Sequence, residues 1–147
     1  MDRILVVGSG SWGTALVKIL LENNDLSVDW WVRSDKMAQK INSKGKNPKY
    51  LRSVRLDTNR LKASTNIKQL ISDNDYILLV TPSAFIADLL KEITPNQLKD
   101  KKIISAIKGV EPNSLKIVGE YLFEHKGVRE SDFGVITGPC HAEEVAQ

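Results

Sequence analysis

The sequence predicts an α/β fold, a doubly wound parallel sheet with helices on both faces. Three observations predict it. Short apolar runs alternate with helical patterns along the whole chain, as repeated strand–helix–strand units require. The apolar runs are continuous rather than alternating, so each strand is expected to be buried on both faces. The first run leads directly into a glycine-spaced string, Gly8-Ser9-Gly10-Ser11-Trp12-Gly13, which opens the first helical pattern.

Arg3 to Val7, rich in Ile, Leu and Val, reads as the first strand. Thr14 to Leu21 reads as the first helix and stops near Asn23-Asn24. Leu26 to Val32 is the second strand. Ser34 is placed as the N-cap of a helix through Ile41, with Gly45 just past its end. Lys46 to Asn59 is polar, carries Pro48 and is expected to be mostly loop. Leu61 to Ala63 predicts a short strand and Ile67 to Ile71 a short helix. Tyr76 to Val80 is a strand that Pro82 ends. Ser83 is placed to cap the next helix, which carries Phe85, Ile86, Leu89, Leu90 and Ile93 on one face. Ile103 to Ile107 is the next strand. Pro112 suits a first helical turn, and the helix after it is expected to bury Leu115, Val118 and Leu122. Phe133 to Thr137 is a sixth strand, and His141 to Gln147 opens one more helix, within which the sequence stops. Residues 1–147 are therefore expected to form one domain of a larger protein.

Composition narrows the class. Of the 147 residues, 41% are hydrophobic and 27% charged, as in ordinary soluble domains. No apolar run approaches the roughly 20 residues of a membrane span, and Met1-Asp2-Arg3 does not begin a signal peptide. The single Cys140 excludes an internal disulfide and fits a reducing cytoplasm. A net charge of +3, from 21 basic and 18 acidic residues, helps attract an anionic ligand but is no nucleic-acid footprint. The densest basic group, Lys99, Lys101 and Lys102, reads as a solvated loop. No metal is expected.

In its strand–turn–helix setting the glycine string describes a Rossmann-type phosphate grip. Gly8 permits the tight turn, Gly10 leaves room where backbone approaches a pyrophosphate, and Gly13 lets the helix pack close on the strand. The helix N-terminus supplies free N–H groups and partial positive charge. The Ser11 hydroxyl can donate to phosphate. The Trp12 indole either shields the pyrophosphate from water or packs on the sheet. At the end of the second strand, where an acid would hold a ribose 2′-OH, stands Arg33 followed by Ser34. Asp29 falls within the strand and Asp35 within the helix. A guanidinium suits a 2′-phosphate and stacks on adenine. The expectation is NADP(H) in preference to NAD(H), with NAD(H) still open and a plain surface role the alternative for Arg33.

Several segments converge on one family. The opening Ile4 to Leu16, Asn47-Pro48-Lys49-Tyr50-Leu51, Ala106-Ile107-Lys108-Gly109-Val110-Glu111 and Thr137 to Ala146 resemble, in order, the bacterial-type NAD(P)-dependent glycerol-3-phosphate dehydrogenases. The resemblance implies reversible hydride transfer between NAD(P)H and dihydroxyacetone phosphate, giving sn-glycerol 3-phosphate for phospholipid synthesis in the cytoplasm. It implies cofactor contacts at Ser11, Trp12, Arg33, Ser34, Tyr50 and Ala142. Lys108 matches a lysine near both nicotinamide and substrate, and Gly138 and Cys140 match substrate contacts. The family usually carries Ser or Thr where Cys140 stands, and a thiol donates more weakly.

The family's general base is a lysine in a C-terminal helical domain that these residues do not include. No catalytic residue is therefore expected here, little or no turnover is expected from the chain alone, and the full-length protein is expected as a homodimer. Lys108, just past a strand end, lies where open α/β sheets bind ligands and can stabilise developing negative charge. His141 reads as beginning a helix rather than moving a proton, and His125 as solvated. The competing functional readings are a related dehydrogenase of another small substrate and a nucleotide-sensing domain without catalysis.

Overall fold

The computed structural model describes residues 1–137 and 141–147. The chain runs through β1 (Asp2–Val7), α1 (Ser11–Glu22), β2 (Leu26–Trp31) and α2 (Asp35–Lys44), then a loop to β3 (Leu61–Ser64) and α3 (Ile67–Asp73). Next come β4 (Tyr76–Leu79), a 3-10 turn (Ser83–Phe85), α4 (Ile86–Leu89), α5 (Pro95–Leu98) and β5 (Lys102–Ser105). A hairpin of β6 (Val110–Glu111) and β7 (Lys116–Ile117) leads into α6 (Val118–Lys126), a second 3-10 turn (Glu130–Asp132), β8 (Phe133–Val135) and α7 (Ala142–Val145).

Six strands form one sheet in the order β3-β2-β1-β4-β5-β8, and every neighbouring pair is parallel. The chain winds outward from β1 to β3, then returns to β4 on the other side of β1. This is the Rossmann winding, and it opens a crevice between β1 and β4 at the carboxyl ends of the strands. The apolar strands follow from it. Leu5 and Val7 of β1 join one core cluster with Ile77, Ile103, Ile86 and Leu122. Val6, between them, joins the opposite cluster with Trp30, Leu78, Val17 and Ile41. Successive residues serve opposite faces, and both faces are buried.

Local chemistry sets the ends of α2. Ser34 Oγ accepts from the Met37 N–H at 3.2 Å, while Gly45 closes the helix at φ +62 with its N–H on the Ile41 carbonyl. The first helix starts at Ser11, three residues before the sequence pattern suggests, so the glycine string itself forms its first turn.

Two expected helices differ. The segment after β4 is not one long amphipathic helix, and Ser83 caps nothing: a 3-10 turn precedes a short α4, with no side-chain cap. Ile86, Leu90 and Ile93 are buried, but Phe85 is exposed. The far end of the segment is held from α6. The buried Lys126 donates its ammonium to the Leu90 carbonyl at 2.6 Å and the Ile93 carbonyl at 2.9 Å, so a side chain satisfies groups that a longer helix would have bonded internally. Burial pushes the Lys126 pKa down. The second difference is at Pro112, which sits in the turn of the β6–β7 hairpin rather than at a helix start. There the buried Glu111 carboxylate accepts from the Asn113 N–H at 3.0 Å and the Ser114 N–H at 2.7 Å. Leu115, at φ +57, is 75% exposed instead of buried.

Two lysines of the basic group at 99–102 are more tied down than a solvated loop, while Lys99 is exposed. Lys101 donates to the Asn74 carbonyl at 2.8 Å, and Lys102 pairs with the buried Asp132 at 2.5 Å.

Candidate functional site

A cavity of about 660 Å3 opens at the β1–β4 crevice, a size suited to an organic cofactor. The glycine string forms its floor, and each glycine has a distinct constraint. Gly8 adopts φ +129, where a Cβ would stand 2.8 Å from the Val80 carbonyl carbon. A Cβ at Gly13 would overlap the Gly8 carbonyl oxygen and lie 3.1 Å from Val80 Cγ2. A Cβ at Gly10 would meet nothing within 4 Å. Gly8 and Gly13 are thus required by the protein's own packing, whereas the space over Gly10 is left for something else.

The string is held from below and from the side. The buried Trp30 donates its indole N–H to the Gly8 carbonyl at 2.7 Å. Asn47, 1% exposed, donates to the Ser9 carbonyl at 3.0 Å and to Thr14 Oγ1 at 2.9 Å. Its carbonyl oxygen accepts from the N–H groups of Lys49 and Tyr50 at 2.9 and 3.1 Å. One amide therefore joins the glycine string, α1 and the loop after α2, and brings Lys49 and Tyr50 to the cavity wall. No side chain among the described residues caps α1, so its first-turn N–H groups remain for an anion.

Of the residues singled out from sequence, Gly8, Gly10, Ser11, Trp12, Gly13, Arg33, Tyr50 and Lys108 line this one cavity. Trp12 lines the cavity and packs against the core cluster around Trp30. Ser34 and Ala142 are not in its wall: the Ser34 hydroxyl caps α2, and Ala142 begins α7, which packs on α1. His141 is the N-cap residue of α7 and is exposed. His125 stacks its ring against Tyr121 at 5.0 Å. Gly138 and Cys140 lie outside the described residues.

Arg33 is exposed at the end of β2, and its guanidinium sits 5.0 Å from the centre of the Phe85 ring. Nearby acids are committed elsewhere. Asp29 is buried, 2.8 Å from Asn74 Nδ2, and Asp35 accepts from the Thr65 hydroxyl at 2.7 Å. Lys108 is exposed beyond the end of β5. The wall carries three cations, Arg33, Lys49 and Lys108, against one carboxylate, Asp88, a balance that favours a polyanionic guest. Thr81 also lines the cavity, and its Oγ1 is buried without a protein partner. An open cradle over Gly10, uncapped helix N–H groups, an orphaned hydroxyl and excess cationic charge together fit a phosphate-bearing dinucleotide.

Sequence reasoning missed Asn47, Lys49, Met37, Thr81, Phe85 and Asp88. Thr81 and Phe85 had a usable signal: they follow β4 at the switch point, where ligands sit in such sheets.

The chain matches a known family. The family described as NAD-dependent glycerol-3-phosphate dehydrogenase N-terminus matches residues 3–147. A glycerol-3-phosphate dehydrogenase [NAD(P)+] of Oceanobacillus iheyensis is 38% identical over 148 residues, covering 99% of this chain and 42% of that protein. The enzyme of the same name from Bacillus subtilis is 36% identical, covering 99% and 42%. A solved glycerol-3-phosphate dehydrogenase from Saccharomyces cerevisiae superposes with a TM-score of 0.84 at 26% identity, covering 99% of this chain and 44% of that one. The chain therefore spans less than half the length of these relatives.

Proposed function

The chain belongs to the NAD-dependent glycerol-3-phosphate dehydrogenase N-terminal family, and from that premise we propose that it is the cofactor-binding part of an enzyme moving hydride between NAD(P)H and dihydroxyacetone phosphate. The observation that carries this reading is the single cavity shared by the glycine string, Arg33 and Lys108. The first-turn N–H groups of α1 would hold the pyrophosphate, with the open space at Gly10 to receive it. Arg33 takes the adenosine end, where its charge favours a 2′-phosphate and hence NADP(H) over NAD(H). Lys108, beyond the end of β5, would hold the nicotinamide end and could stabilise negative charge on a substrate oxygen.

The bound nicotinamide supplies the hydride; the chain's own residues bind, orient and screen it. Gly138 and Cys140 are proposed as substrate contacts, and Ser34 and Ala142 as cofactor contacts, on the strength of the family match alone; the latter two stand outside the cavity wall. The proton for the new hydroxyl is assigned to a lysine in the remaining length that the relatives possess. A homodimer in the cytoplasm completes the reading. Supporting it are the exposed apolar side chains of Leu115, Ile117, Val135 and Ile136, which leave surface for further protein to cover, and described helices none of which is long and apolar enough to cross a membrane.

The test is a titration of the purified chain with NADPH, followed by tryptophan fluorescence, together with reduction of dihydroxyacetone phosphate by the full-length protein. Quenching at submillimolar nucleotide and turnover of this substrate are expected. A folded chain that does not respond to millimolar NADPH refutes the reading.

A further inference from the structure

We infer that Lys49 is a cation of the pyrophosphate subsite, a role that rests on the cavity being the dinucleotide site. Position is the first argument. Lys49 lies in the loop after α2, far in sequence from the glycine string, yet it lines the same cavity as Gly10, Ser11 and Trp12. The second argument is how it is held there. Its N–H donates to Asn47 Oδ1, and the same Asn47 side chain donates to Ser9 of the glycine string and to Thr14 in the first turn of α1. Lys49 is thus anchored, through one buried amide, to the two pieces of backbone that frame the open space over Gly10.

Its ammonium rests 5.3 Å from the centre of the Tyr50 ring, a contact that steadies the side chain without neutralising it. No carboxylate is paired with it among the described ion pairs. The charge is free to meet a ligand.

The chemistry divides the cavity's cations by position. Arg33 sits at the end of β2, against Phe85, and addresses the adenosine end. Lys108 sits beyond β5, at the reactive end. From α1 the donors at this cradle are the first-turn N–H groups and the Ser11 hydroxyl, none of which carries a full charge. Lys49 adds a full charge beside them, as a flexible point donor suits a phosphate approached from the solvent side.

The experiment compares wild-type chain with K49M and K49R, titrating each with NADPH and with NADH at low and moderate salt, and recording thermal melts. Because the diphosphate is common to both cofactors, K49M is expected to weaken both by a similar factor, about tenfold, and to flatten the salt dependence. K49R is expected to restore most of the affinity. Unchanged melts show that the loop is intact. The inference is overturned if K49M binds both cofactors as the wild type does, or if it loses NADPH alone, which would put Lys49 on the 2′-phosphate. A folded wild type that binds neither nucleotide overturns the dinucleotide reading itself, and the inference with it.

Discussion

Replacing Gly13 by Ala sets two effects against each other, and the structure decides which wins. Gly13 lies in the first turn of α1, where a glycine-to-alanine change is worth at most the roughly 1 kcal/mol in favour of folding found in a helix interior. Against this, the new methyl would overlap the Gly8 carbonyl oxygen, lie 3.0 Å from the Gly8 carbonyl carbon and touch Val80 Cγ2 at 3.1 Å. The oxygen cannot retreat freely, because it accepts the Trp30 indole N–H at 2.7 Å. Moving it strains a buried hydrogen bond worth about 1 kcal/mol, on top of about 1–3 kcal/mol for overpacking a close backbone contact. The net expectation is a loss of about 2 kcal/mol, or a melting temperature lower by roughly 4–8 °C for a domain of this size.

Gly10→Val is the control. Gly10 has an extended backbone at φ −77 and open space where the side chain would go, so the melt is expected to stay within about 0.5 kcal/mol of wild type. Nucleotide binding is lost instead, since the branched side chain fills the cradle. Circular dichroism melts and fluorescence titrations on both variants make the comparison. A Gly13→Ala protein as stable as wild type, or a Gly10→Val protein that melts as early as Gly13→Ala, refutes this division of labour.

Two other outcomes are expected. Arg33→Asp should exchange the preferred cofactor: NADPH affinity falls about tenfold or more, because a carboxylate replaces the guanidinium beside the 2′-phosphate, while NADH binding holds or improves; a fixed ratio of the two affinities would remove Arg33 from cofactor choice. Asp132 governs acid stability, since hydrogen bonds from Lys102 and then Arg129 hold its carboxyl below the ordinary range. A depressed pKa means that the stabilisation is complete above about pH 4 and is lost as pH falls through the lowered native value. Asp132→Asn should therefore melt lower at neutral pH and vary less with pH in the acid range, and parallel acid curves for the two proteins would contradict that.

Much of this fold was legible because burial on two faces writes itself into the strands. Six apolar runs and the glycine string were enough to predict the doubly wound parallel sheet, and Ser34 and Gly45 marked α2 because capping is a local property. What failed was not local. Pro112 suits a hairpin turn as well as a first helical turn, and Leu115 falls at helical spacing from Val118 although Glu111 folds the segment back on itself. The end of α4 is capped by Lys126, which is 36 residues from Leu90. In the site, the glycines, Arg33 and Lys108 could be read from strand ends. Asn47 could not, because a buried asparagine in a polar loop looks like any other loop residue until its four partners are seen. Phe85 was misread for a related reason: its helical spacing suggested a core face, while the break after Pro82 turned it toward Arg33.

The Asn47 amide also has a thermodynamic consequence for ligand capture. Loops that must order around a guest lose conformational freedom at the moment of binding, and affinity falls accordingly. Here the segment bearing Lys49 and Tyr50 is fastened to the first helix when the chain folds. That entropic loss is taken during folding, so the incoming nucleotide meets a wall already in place, and its dissociation is resisted by a surface with little freedom left to regain.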